Sequence, residues 1–177
     1  MELKRGQVWV ETVIYTLIGL VIIAILLATA LPQIEKAGDR NVIKQTLTAF
    51  SDIDSKITQV EQTPGNLGVV ELRIAKGKLD INSINNTLVY TLEDTPLKLS
   101  ELDQKIEEGG IILETKKYGS NFKIILTKDY SDSLNMTYNG QKNIKTFQAG
   151  TTPYKIQIEN IGDNSIGGKT HLDFDVM

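Results

Sequence analysis

The hydrophobic pattern divides the chain sharply. After a short polar opening, residues 12–34 form 23 consecutive positions without a charged side chain. At about 1.5 Å per residue a helix of that length covers roughly 35 Å, more than the ~30 Å hydrocarbon core of a bilayer. A membrane-spanning helix is therefore predicted. Lys4 and Arg5 lie just before it, and the positive-inside bias places the N-terminus in the cytoplasm and everything after Pro32 outside. Pro32, at the end of the run, predicts a kink or the exit from the membrane. Beyond it Ile34, Ala37, Ile43, Leu47, Phe50, Ile53, Ile57 and Val60 recur at three- and four-residue steps among polar residues, the pattern of an amphipathic helix. Gly38 and Asp39 are the weak points of its continuity. Unbroken over residues 8–62, it would measure about 80 Å at 1.5 Å per residue. The stripe is expected to pack against a globular head; a coiled coil with neighbouring subunits is the competing reading, and the absence of sustained heptads argues against it.

Thr63-Pro64-Gly65-Asn66 is a turn cluster, and after it the period falls towards two. Val70, Leu72 and Ile74 alternate imperfectly with Val69, Glu71, Arg73 and Lys76. Runs at 87–92, 111–115, 122–127, 154–158 and 171–176 are short, rich in β-branched or aromatic residues, and separated by Gly, Asn, Asp and Ser. Tyr118-Gly119-Ser120-Asn121 and Asn139-Gly140 read as hairpin turns. Ser100 followed by residues 101–108 and then Gly109-Gly110 reads as a short capped helix between strands. The predicted class is α+β: a long N-terminal hydrophobic helix over 7–62 (apolar 8–34, amphipathic 35–62), then an antiparallel β-rich head over 63–177, built as a sandwich or as a twisted sheet beside the helix.

Composition removes several functions. With 19 Lys+Arg against 22 Asp+Glu, the net charge of −3 leaves no basic footprint for nucleic acid. The chain has no cysteine and a single histidine, so disulfides, thiolate chemistry and multi-histidine metal sites within one chain are excluded. His171 shares a strand face with Asp173 and Asp175, where a solvated face is favoured over a weak metal site. Asp129-Tyr130-Ser131-Asp132 and Asp163-Asn164 lack the ordered oxygen spacing of a calcium loop and read as turns. No nucleophile elbow, phosphate loop or dinucleotide fingerprint is present, so neither catalysis nor a cofactor is expected. Asn85-Asn86-Thr87 and Asn135-Met136-Thr137 fit the glycosylation acceptor pattern at Asn85 and Asn135.

One constellation carries a positive signal. Lys4-Arg5-Gly6 is followed by Gln7, then by Glu11 and the apolar run. In both residue type and spacing this resembles the class III signal peptide of type IV pilins and archaellins. The resemblance covers roughly residues 1–35; Trp9 departs from it, standing where many archaeal pilins carry Ser. It implies a leader over residues 1–6, cleavage between Gly6 and Gln7 by a membrane-embedded prepilin peptidase, and Glu11 as the fifth mature residue. It further implies that in a filament Glu11 neutralises the new α-ammonium of a neighbouring subunit. A carboxylate at such a depth is costly unless paired, which makes it a functional candidate by default. Snorkelling of Glu11 to the headgroups is the plainer alternative, and Trp9 and Tyr15 read as interfacial anchors. Ala28-Thr29-Ala30 offers an ordinary signal-peptidase site, but the apolar run is long for that and holds Glu11 near its start.

The function expected is a structural subunit of a type IV pilus-like surface filament, a homo-oligomer built through its N-terminal helix. An assembly ATPase and a membrane platform protein are the partners the resemblance implies. An adhesion pilus, a swimming filament and a minor pilin all fit this expectation. A membrane-anchored extracellular binding module that does not polymerise is the alternative.

Overall fold

The computed structural model describes residues 3–162 and 168–177, with side chains from Trp9 onward. One helix, α1 (Leu3–Glu61), precedes ten strands among the described residues. Pro32 lies inside α1 without interrupting it, and the helix also runs through Gly38 and Asp39. The chain separates into two compact units, Met1–Gly38 and Asp39–Met177.

The described residues of the first unit are helix throughout. Its apolar side chains are exposed on every face, from Trp9 and Val10 through Leu31 to Ile34. Its hydroxyls are turned back onto the helix: Thr16 donates to the Thr12 carbonyl at 2.8 Å, and Thr29 to those of Ile25 and Leu26 at 3.2 and 3.0 Å. Such back-bonding satisfies these two threonine hydroxyls without water, which suits a helix apolar enough to cross a membrane.

In the second unit the remaining helix packs on the strands. Ile43, Phe50, Ile53, Ile57 and Val60 are all buried there, the stripe expected from their spacing. Leu47 and Ile34, which belong to the sequence pattern, are not in it; both are exposed. At 100° per residue Leu47 falls off the edge of the arc that holds positions 43, 50, 53, 57 and 60. Gly68 sits where a Cβ would collide with Lys56 and Val60, so its missing side chain lets helix and sheet approach.

The strands are β1 (Leu67–Leu72), β2 (Lys78–Asn82), β3 (Thr87–Thr95), β4 (Lys105–Glu108), β5 (Ile111–Tyr118), β6 (Asn121–Asp129), β7 (Leu134–Tyr138), β8 (Ile144–Gln148), β9 (Tyr154–Gly162) and β10 (Thr170–Val176). They form two sheets, one of four strands in the order β1-β9-β10-β7 and one of six in the order β4-β5-β6-β3-β2-β8. Alternation is clear where one face is covered: β1 buries Val70 and Leu72 and exposes Val69 and Glu71. The inward rows meet around Tyr90, Leu126, Ile158 and Phe174 in one core with the helix stripe. The architecture is α+β with a sandwich-like head.

One expectation is corrected. Residues 101–108 do not form a capped helix: Lys105–Glu108 is strand β4, joined to β5 through Gly109 and Gly110, both at positive φ. Ser100 caps no helix. Its amide donates to the Thr115 hydroxyl and its own hydroxyl accepts from the Thr115 amide, each at 3.0 Å. The eight-residue segment has only Leu102 and Ile106 as apolar residues, too few to anchor a helix, so pairing with β5 prevails. The sheets are antiparallel-rich as expected; among the described residues one strand pair, β10 with β7, is parallel. The expected turns do form. Tyr118 pairs with Asn121, and Asn139 and Gly140 both take positive φ, at 51° and 68°.

Candidate functional site

The feature that demands a partner is the apolar half of α1. It is long and apolar enough to cross a membrane, and its apolar stretch is unburied. A Leu, Ile or Val side chain contributes roughly 1.5–3 kcal/mol when taken fully out of water. Between Trp9 and Ile34 more than a dozen such side chains stand exposed, an apolar surface far larger than isolated surface hydrophobics make. Lys4, Arg5, Gly6 and Gln7 lie on the helical backbone of this segment, and their side chains fall outside the described ones. Glu11 is exposed, at the start of the uncharged run. Trp9 and Tyr15 are 72% and 66% exposed, which leaves both rings free for an interface.

The strand face of His171 is organised by Thr137. The Thr137 hydroxyl donates to Asp173 Oδ1 at 2.5 Å, and its oxygen lies 3.0 Å from His171 Nε2. Because the hydroxyl proton is committed to the carboxylate, His171 Nε2 must carry a proton and donate. Asp173 Oδ1 also accepts from the Gly140 amide at 2.8 Å. Asn139, with its amide nitrogen turned to Asp175, reaches that carboxylate at 2.9 and 3.2 Å. These carboxylates therefore fasten the Asn139-Gly140 turn to β10. No group of three or more candidate metal ligands occurs among the described residues.

The segment from Asp129 to Asp132 is a turn: Asp129 Oδ1 accepts from the Ser131 amide at 2.8 Å. Tyr130 donates to Asp54 Oδ1 at 3.0 Å, and Lys128 pairs with the same carboxylate at 3.3 Å, tying sheet to helix. Burial, reinforced by Asp54, holds the Tyr130 phenol well above its ordinary value. Asp163 and Asn164 lie outside the described residues. Of the two acceptor sequons, Asn85 is exposed in the turn between β2 and β3, where its amide donates to the Asn82 side chain at 3.1 Å. Asn135 is half-buried within β7, and its partner Thr137 is buried with its hydroxyl engaged.

Sequence reasoning missed one buried ion pair. Asp39 falls within the apolar arc of α1, is 3% exposed, and meets Lys76 at 2.8 Å. Its position on the stripe was the available signal.

No protein-family model matches the chain, and no curated protein or solved structure does either.

Proposed function

We propose that the chain is the structural subunit of a type IV pilus-like surface filament. In this reading a prepilin peptidase removes residues 1–6 by cutting between Gly6 and Gln7. The mature subunit waits in the membrane by its helix, with the N-terminus cytoplasmic and the head outside. An assembly ATPase and a membrane platform protein then drive its extraction into a filament core made of identical helices. The single observation that carries the reading is the uncovered apolar segment of α1 directly behind Lys4-Arg5-Gly6-Gln7 and Glu11. Lipid and a bundle of like helices are both apolar surroundings. Transfer between them gains little hydrophobic free energy, so the extraction step needs an energy-consuming machine.

The test is to express the chain with and without an active prepilin peptidase, measure the mature N-terminus by mass spectrometry, and look for the protein in sheared surface fibres. A start at Gln7 and recovery in fibres are expected. An intact N-terminus beside active peptidase, with all material left in the membrane fraction, overturns the reading in favour of a non-polymerising anchor.

A further inference from the structure

Among the described residues the six-stranded sheet ends in two edges that no further strand covers, β4 on one side and β8 on the other, where only the Gln148 end of β8 is engaged, by the Tyr154 hydroxyl at 3.0 Å. We infer that these edges pair with each other between copies, β4 of one head adding to β8 of the next, so that the sheet continues from subunit to subunit. Four observations carry this.

The first is direction. Each strand in the order β4-β5-β6-β3-β2-β8 is antiparallel to its neighbour. Consequently β4 and β8 have opposite senses, and a copy displaced across the sheet and turned by the twist accumulated over its strands presents β8 to β4 in antiparallel sense.

The second is register. The row through Ile106 runs Leu113, Leu126, Tyr90, Leu79 and ends at Phe147. The row through Glu108 runs Ile111, Lys128, Leu88, Ile81 and ends at Lys145. By the same ladders Glu107 and Thr146 end one row, and Lys105 and Gln148 another. An unslipped continuation therefore sets Glu108 opposite Lys145, Ile106 opposite Phe147, Glu107 opposite Thr146 and Lys105 opposite Gln148. Faces match throughout, which a one-residue slip would destroy.

The third is charge. The strand β4 holds Glu107 and Glu108 against Lys105, whereas β8 holds Lys145 and no acid; beside them Glu101 is already paired with Lys98, and Lys142 with Ser83 and Asn86. One edge is acidic, the other basic, and opposite charges directly across a strand pair are favourable. The fourth is exposure. Every β4 residue is exposed, and Ile106, on the inward row, is 45% exposed. Charged residues on a short edge normally block indiscriminate pairing; here their arrangement fits one partner, a second copy of this chain. Such a contact is heterologous, so it leaves one edge of each copy for the next and extends the assembly beyond a dimer. It rests on the proposed filament only for its place in an assembly.

The absence of native cysteines makes the test clean. Directly opposed positions bring Cβ atoms to about 4.5–5.5 Å, within reach of a disulfide after small adjustment. The full chain carrying both Glu107→Cys and Thr146→Cys, reconstituted in liposomes and mildly oxidised, should give a ladder of dimers, trimers and longer species. Each single variant should stay monomeric. Glu108→Lys or Lys145→Glu added to the double-cysteine chain should cut the ladder at least tenfold, and the two together should restore it. No ladder, or a dimer from Glu107→Cys alone that signals β4 pairing with itself, overturns the inference. Electron microscopy of sheared material separates the two readings. Filaments whose subunits fail to cross-link sink the edge contact and leave the filament; a ladder without filaments does the reverse; the loss of both sinks both.

Discussion

At the residue scale the most exacting position is Asp39. One of its oxygens meets Lys76 at 2.8 Å, and the other, Oδ2, is buried without a hydrogen-bond partner. A carboxylate held in an apolar arc is tolerable only while its cation stays, since removal of one partner strands a charge. Lys76→Met should destabilise the protein by about 2 kcal/mol, below the range for fully buried pairs because the lysine side chain is 39% exposed. Adding Asp39→Leu should recover most of that loss, and urea unfolding of the full chain in detergent measures both steps. Two tyrosines give a complementary dependence on pH. Burial first, then the charge of Asp39, pushes the Tyr90 phenol up to about 12, and Tyr130 rises for similar reasons. Both stay protonated in the fold while their unfolded counterparts ionise near pH 10. The unfolded state then binds fewer protons, so stability falls as pH climbs above about 10, while below it these phenols add no slope. Tyr130→Phe should flatten that alkaline decline and cost about 1 kcal/mol at neutral pH through the lost bond to Asp54. Thermal melts stepped from pH 8 to 11.5 read the slope directly.

At the element scale the helix stripe is the structural pin of the head. Phe50 is 1% exposed in the core, whereas Leu47, one turn away, is 36% exposed. Phe50→Ala should therefore cost about 3–5 kcal/mol through lost transfer and a residual cavity. Leu47→Ala should change stability by less than about 0.5 kcal/mol. Chemical unfolding monitored by near-ultraviolet circular dichroism distinguishes the two, and equal losses would contradict the packing. The same pair of residues explains what the sequence makes legible. Periodicity announced the helix and its apolar positions, but deciding between 47 and 50 needs the angular position of the sheet. Strands with alternation and flanking turns, such as 122–127 and 171–176, could be read directly. The segment 101–108 could not, because Ser100 and the paired glycines mimic a capped helix while the deciding contact, Thr115, lies far along the chain. The parallel pairing of β7 and β10 was equally invisible, being set by where the chain returns after β8 and β9.

At the scale of the whole molecule the candidate site was legible as text and is barely elaborated by a single copy. The motif at residues 4–11 is a matter of type and spacing, and the partner that would give Glu11 its meaning belongs to another subunit in the proposed filament. Asp39 shows the converse, a buried charge whose partner could be found only in three dimensions. The two carboxylates lie on one helix yet differ physically: Asp39 has its cation within its own unit, and Glu11 is exposed. In the filament reading the α-ammonium of mature Gln7 supplies the missing cation from a neighbouring copy. Glu11→Ala, and equally the isosteric Glu11→Gln, should then leave cleavage after Gly6 within about twofold of the parent. Either change strands an ammonium in an apolar bundle at a cost of several kcal/mol, and each 1.4 kcal/mol is a factor of ten. The yield of sheared filaments should fall at least tenfold in both variants, with mature protein accumulating in the membrane fraction. If Glu11 merely snorkels to the headgroups, Glu11→Gln, which keeps size and hydrogen bonding, would assemble as the parent does. Quantitative immunoblots of sheared and membrane fractions, with the N-terminus verified by mass spectrometry, decide between a charge that sets subunit register and one that marks only the edge of the bilayer.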